Sequence, residues 1–242
     1  MAYNSIMAKL VFDIETIGED FDKMDEVTQE SLTWWIKKES QTEDEYRVSL
    51  GEIKDGLGFS ALTGEIVALG VLDCDQNKGA VYFQSPKKEI KEWTEGNFKF
   101  EPMTEKKILD KFWQIAEKYD EFISFNGRQF DVPFIMIRSA VQEIKVRKNL
   151  MDGRYLYQQK SGSRHIDLLD QLTFYGATKR RGGLHLWSRL FGIKSPKTNG
   201  ISGDDVGRLF KEKKYEDIAR YNVSDLVATK ELYERWSNFI KI

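Results

Sequence analysis

The sequence predicts an α/β fold with a mixed central sheet flanked by helices, and three observations predict it. Strand-like apolar runs lie mostly in the first half of the chain, helical periodicities separate and follow them, and turn-forming residues mark the boundaries. The 242 residues are 40% hydrophobic and 31% charged, with six Trp, ten Tyr and fifteen Phe, which supplies a sizeable core and argues against a disordered chain. Residues 1–242 read as one domain.

Ala8 to Asp13 reads as the first strand. Glu65 to Asp73 (EIVALGVLD) reads as the second, and its unbroken apolar run suits a central position buried on both faces. Gln76-Asn77-Lys78-Gly79 supplies turn residues, so Ala80 to Phe83 becomes the third strand of a meander. Thr104 offers an N-cap for a helix to about Tyr119, and Glu121 to Phe125 is the next strand, broken by Asn126-Gly127. A helix from Phe130 to about Ile144 tolerates Pro133 in its first turn, where the missing donor has no intrahelical partner. Leu184 to Phe191 forms a short helix closed by Gly192, and 194–203 reads as a loop. The last and longest helix is Tyr215 to Asn238, with Ile218, Leu226, Tyr233 and Trp236 on one face. Residues 20–60, charged and carrying Trp34 and Trp35, read as an insertion between the first two strands, of no derivable structure.

Composition excludes several classes. Cys74 is the one cysteine, so no internal disulfide forms, and with only His165 and His185 beside it there is no zinc set of recognised spacing. No apolar stretch approaches the ~18 to 20 residues that span a bilayer, and MAYNSIMAKL lacks a signal core; a soluble cytoplasmic protein is expected. A net charge of −2 argues against a basic coat for long duplexes, but not against an enzyme that holds a few phosphates through metal ions.

The chemistry lies in the acids. Asp13 and Glu15 in LVFDIET are two apart on a strand, hence on one face. Two bare carboxylates repel by ~1 kcal/mol at ~4 Å in water and by ~4 kcal/mol at a partly shielded site, which a divalent cation relieves. The plainer reading is a strand end entering solvent. Asp131, in FNGRQFDVPFI, starts a helix near its positive end, where a simple cap is the plainer alternative. Tyr221 and Asp225, in YNVSD, stand one turn apart on the last helix, where a surface hydrogen bond would serve equally.

As an ordered set, these residues resemble the DEDD exonucleases in their tyrosine-bearing branch. The first motif is Asp13 and Glu15, the second Asn126, Phe130 and Asp131, the third Tyr221 and Asp225. FNGRQFDVPFI is most similar to the proofreading exonuclease domain of family-B DNA polymerases and to stand-alone predicted exonucleases related to it. LHLWSRLFGIKSPKTNGISGDD resembles the segment before the last motif in the latter. The resemblance implies a ribonuclease H-like fold and metal-dependent removal of nucleoside 5′-monophosphates from the 3′ end of a single strand. It implies that Asp13, Glu15 and Asp225 gather around one metal, that Asp13 bridges to a second, and that Asp131 acts on the second through water. Tyr221 orients the attacking water, its ordinary pKa of ~10 arguing against proton removal. Oxygen ligands favour Mg²⁺ or Mn²⁺.

The same resemblance places Asn126 and the backbone of Glu15 and Thr16 at the terminal nucleotide, with Phe125 and Phe130 as candidate stacking rings, although core packing is the plainer reading of either ring. Lys179-Arg180-Arg181-Gly182-Gly183 precedes a helix, so Arg180 and Arg181 are candidates for phosphate contacts, or simply a solvated loop. His165 and Asp167 in RHIDLLD lack the spacing of a histidine-type member. The expected partner is a single-stranded 3′ end, DNA before RNA, and a separate polymerase or repair protein is compatible as a further partner. An RNA-trimming enzyme and a silent binding module remain alternatives.

Overall fold

A computed structural model describes residues 7–179, 181–195 and 200–241. Strands β1 (Lys9–Gly18), β2 (Gly64–Asp73), β3 (Lys78–Phe83), β4 (Trp93–Glu95), β5 (Phe98–Pro102), β6 (Glu121–Ser124) and β7 (Arg164–Asp167) form one sheet in the order β4-β5-β3-β2-β1-β6-β7. β1, β2 and β3 are the antiparallel meander, while β6 runs parallel to β1 and β7 parallel to β6. β5 joins β3 in parallel and β4 closes that edge antiparallel; neither was expected from sequence.

Among the described residues, eight α-helices accompany the sheet: α1 (Glu26–Glu39), α2 (Glu43–Gly56), α3 (Glu105–Ala116), α4 (Asp131–Val141), α5 (Leu168–Leu172), α6 (Leu184–Leu190), α7 (Val206–Lys211) and α8 (Tyr215–Phe239). Strand alternation sorts the core into two halves. On one face Val11, Ile123 and Ile166 pack with Ile218, Leu226, Leu232 and Trp236 of α8; on the other Leu10, Phe12 and Phe122 pack with Phe112 and Trp113 of α3 and Ile135 of α4. Since Asp13 and Glu15 share the parity of Val11, they face α8.

The apolar face expected of the last helix is the buried one, with Ile218, Leu226, Tyr233 and Trp236 all buried. Other boundaries differ. β1 does not stop at the acids but continues to Gly18, with a bulge between Glu15 and Thr16. The Thr104 side chain makes no cap bond, and α3 ends at Ala116. β6 ends at Ser124, because Asn126 adopts a left-handed φ of 64°. α4 is shorter than expected, ending at Val141. Gly192 has the expected left-handed φ, 68°, just beyond α6. The 20–60 segment is helical: Asp25 caps α1 through Thr28 N and Thr42 caps α2 through Glu45 N. Among the described residues, no helix is long and apolar enough to cross a membrane.

Candidate active site

The site forms where β1 meets α8 and the start of α4. Alternation along β1 aims Asp13 and Glu15 at α8, and immediately after Glu15 the pairing shifts register, with Val67 of β2 as the extra, unpaired residue. From α8, Asp225 completes a group in which one carboxylate oxygen from each of Asp13, Glu15 and Asp225 lies within 4.8 Å of the others. Tyr221, one turn earlier and buried, donates its hydroxyl hydrogen bond to Asp225. Asp131 is the first residue of α4 and buried, and its Oδ1 accepts from Ile14 N at 3.1 Å. The carboxyl therefore ties α4 to β1 between the two strand acids and is no simple helix cap.

Burial and crowding set the electrostatics. Asp13 is pushed well above the usual carboxylate range, first by burial and then by the charges of Asp131, Glu15 and Asp225. Glu15 is raised by burial and then by Asp225, and Asp131 is pushed up to about 7, mainly by burial. The Tyr221 phenol is held far above its ordinary value by burial and by Asp225, so it stays protonated. The clustered carboxylate oxygens of Asp13, Glu15 and Asp225 are the donor chemistry of a hard divalent ion.

Asn222 is part of this machinery and sequence reasoning missed it. Fully buried, its Nδ2 donates to Asp13 Oδ2 at 2.8 Å and to Glu15 Oε1 at 3.3 Å. Gly70, paired with Asp13 across β1 and β2, makes space for it, since a Cβ there would sit 1.9 Å from Asn222 Oδ1. The available signal was its place in YNVSD, three residues before Asp225 and so on the same side of the helix.

Asp167, left without a role by the sequence, organises the second motif. Its carboxylate accepts from Asn126 N at 2.9 Å and Arg128 N at 3.0 Å, and from Leu169 N at 2.9 Å as the N-cap of α5. Gly127 packs so closely that a Cβ would lie 2.2 Å from Ser124 Oγ. Asn126 Oδ1 is buried and accepts from no donor among the described residues. His165 is buried between Ser124 Oγ, 2.7 Å from Nε2, and the Leu150 carbonyl, and burial lowers its pKa to about 3. It is a neutral core histidine.

The remaining candidates scatter around the acids. Thr16 Oγ1 donates to the Gly58 carbonyl at 2.6 Å. Phe125 is half-buried against the α8-side core, and Phe130 packs on Phe134 with ring centroids 5.6 Å apart. Arg181 donates to Gln129 Oε1 at 2.8 Å, beside the second motif, and lies 3.7 Å from Asp170. Arg180 lies outside the described residues.

Residues 80–240 match the family described as a predicted 3′-5′ exonuclease related to the exonuclease domain of PolB. The chain belongs to that family. The matched stretch contains Asp131, Tyr221 and Asp225, while Asp13 and Glu15 precede it and join them only through the fold. No curated protein matches the chain. Among solved structures, a family B DNA polymerase from the hyperthermophilic archaeon Pyrobaculum calidifontis is similar, with a TM-score of 0.59 and 16% identity over 98% of this chain. This chain spans only 25% of that polymerase, and at such identity the likeness establishes the ribonuclease H-like fold alone. Membership in the exonuclease family implies dependence on divalent metal, for which the Asp13, Glu15 and Asp225 group has the donors.

Proposed function

We propose that the chain hydrolyses the last phosphodiester bond at the 3′ end of single-stranded nucleic acid, DNA in preference to RNA, releasing nucleoside 5′-monophosphates. The observation that carries this reading is the convergence of Asp13, Glu15 and Asp225, from opposite ends of the chain, within 4.8 Å and beside the Tyr221 hydroxyl. A binding module has no physical need for buried carboxylates that repel one another.

Asp13, Glu15 and Asp225 would hold divalent metal, with Asp131 as the further carboxylate of the site for a metal pair; Mg²⁺ or Mn²⁺ suits the oxygen donors. Such a metal pair lowers the pKa of the attacking water and offsets charge on the departing 3′ oxygen. The protein's own groups do the rest. Tyr221, protonated at any working pH and with its proton on Asp225, would accept a hydrogen bond from the water to orient it and is not the base that takes its proton. Asn222 holds the Asp13 and Glu15 carboxylates in one arrangement, so their geometry is set before substrate arrives. Asn126, whose backbone N–H is held by Asp167, would face the terminal nucleotide as the family resemblance implies.

The test is release of mononucleotides from 3′- and 5′-labelled single-stranded DNA and RNA in Mg²⁺, Mn²⁺ or EDTA, with Asp13→Ala as control. Metal-dependent release from the 3′ end, lost in EDTA and in the variant, is expected, faster on DNA. Release from the 5′ end, or none with either metal, would refute the proposal.

A further inference from the structure

A cavity of about 600 Å³ opens at the end of β1 beyond the acids, none of which lines it, running from Thr16 and Gly18 to Phe59 and to Gly207, Arg208 and Lys211 of α7. Thr16 is the residue after Glu15, one strand step of ~3.3 Å, so the cavity begins within the reach of a single nucleotide whose phosphate sits at the acids. Its outer wall belongs to the segment between β1 and β2 that the sequence left unexplained.

That wall is fixed firmly. The Leu57–Phe59 turn docks on β1 through Thr16 Oγ1 and the Gly58 carbonyl, while Thr63 Oγ1 donates to the Leu57 carbonyl at 2.8 Å and Glu19 N to the Thr63 carbonyl at 2.8 Å. Gly18 and Gly58 permit the approach, since a Cβ on Gly18 would fall 2.5 Å from Leu57 Cβ. On this anchored turn Leu57 is buried, whereas the Phe59 ring is 58% exposed at the cavity. A large apolar ring on an anchored turn, exposed at the mouth of a cavity, contributes little to the core.

The electrostatics of the cavity select the ligand's chemistry. Lys54 is tied to Asp22 at 2.7 Å and Arg208 to Asp205 at 2.9 Å, and the remaining cation, Lys211, is outnumbered by Glu19, Asp55, Asp204 and Glu212. A phosphate subsite would be positive; this one carries more acids than bases, which disfavours a phosphate and leaves the uncharged nucleobase as the part of a nucleotide it suits. Resting on the exonuclease reading above, we propose that the segment between β1 and β2 forms the outer wall of the subsite for the 3′-terminal nucleotide, and that Phe59 is the surface on which its base stacks. Phe125 and Phe130, packed into the core clusters, are less free to do so.

The experiment is a cycle of two changes, one on each partner. Single-stranded oligonucleotides ending in a normal or an abasic 3′ nucleotide are degraded by wild type, Phe59→Ala and Phe59→Trp, and the first turnover is followed. Phe59→Ala lowers kcat/KM about fivefold or more on the normal end, the ratio that ~1 kcal/mol of stacking sets. On the abasic end the variant equals wild type, and Phe59→Trp restores the normal end. A 2-aminopurine at the 3′ terminus, bound in EDTA without turnover, is quenched by wild type and less by Phe59→Ala. Equal losses on both ends, or equal quenching, would overturn the stacking role while leaving the exonuclease reading intact. If wild type releases no nucleotide from any end, that underlying reading has failed instead. Far-ultraviolet circular dichroism establishes that the exposed-site variant is folded.

Discussion

Replacing Asp13 by Asn should make the protein more stable without metal and inactive with it. Two unit charges at about the 4.8 Å separation within the group repel by roughly 3 kcal/mol at an effective dielectric of ~20, and Asp13 faces Glu15, Asp131 and Asp225. Proton uptake and the Asn222 hydrogen bonds relieve part of this, which leaves a net gain of about 1 to 2 kcal/mol on removing one charge. Asn is nearly isosteric with Asp, and its oxygen can still accept from Asn222 Nδ2, so packing is preserved.

Metal should reverse the ranking. At about one hundred times its dissociation constant, an ion that binds only the folded state adds ~2.7 kcal/mol, and the Asn variant forfeits most of it. The assay is urea unfolding of both proteins in EDTA and in saturating Mg²⁺ or Mn²⁺, alongside mononucleotide release. An Asn variant less stable than wild type in EDTA would refute the claim of electrostatic strain. A wild type whose unfolding midpoint ignores both metals would refute the claim that the acids await a cation.

Asn222→Ala removes the donor shared by Asp13 and Glu15; the Mg²⁺ concentration for half-maximal activity should rise roughly tenfold or more, and an unchanged value would deny Asn222 a positioning role. Tyr221→Phe keeps the ring and deletes the hydroxyl, so kcat should fall roughly ten- to hundredfold while the shape of the pH profile stays the same. Loss of the basic limb of that profile would instead make Tyr221 a proton acceptor. His165 is held neutral down to about pH 3, against an unfolded value of ~6.5. The unfolded chain therefore binds the extra proton in that window, and stability falls as pH drops from ~6.5 toward 3, by up to about 1.4 kcal/mol per pH unit. The raised carboxylates act in the opposite direction, so the His165 contribution is the difference in slope between wild type and His165→Asn in urea titrations; equal slopes would show that His165 does not titrate as described.

What sequence made legible was periodic or charged. The meander, the β6 to α4 passage and the buried face of α8 follow from alternation and helical spacing over long stretches, and the acids stand out because their presence on apolar elements has no packing reason. What stayed hidden was short or relational. β4 has three residues, too few for a pattern, and β5 gains its meaning only from pairing with β3. The bulge after Glu15 is a property of two strands together. Asn222 looks like any polar helix residue until Gly70 of β2 is placed against it, and Asp167 acquires its function from two backbone N–H groups about forty positions away. The two phenylalanines of the second motif drew attention as stacking rings, while Phe59, in a segment without a readable pattern, did not.

The supports of the site divide by what they must resist. Asp13 and Glu15 sit on a strand paired on both sides, Asp131 is bonded to the backbone between them, and Asp225 rides on a helix whose neighbouring Leu226 is fully buried. Mutual repulsion pushes these acids apart, and only elements fixed by the two cores can hold them together against it. The surfaces proposed for nucleic acid carry no such load: the Phe59 turn, the Asn126 loop and Arg181 all lie on connections between elements. Those connections are nevertheless pinned, the first by Thr16 and the second by Asp167, each through hydrogen bonds to backbone groups. Backbone anchoring fixes where a loop lies without prescribing its side chains, so substrate preference can change at the rim while the carboxylate geometry stays constant.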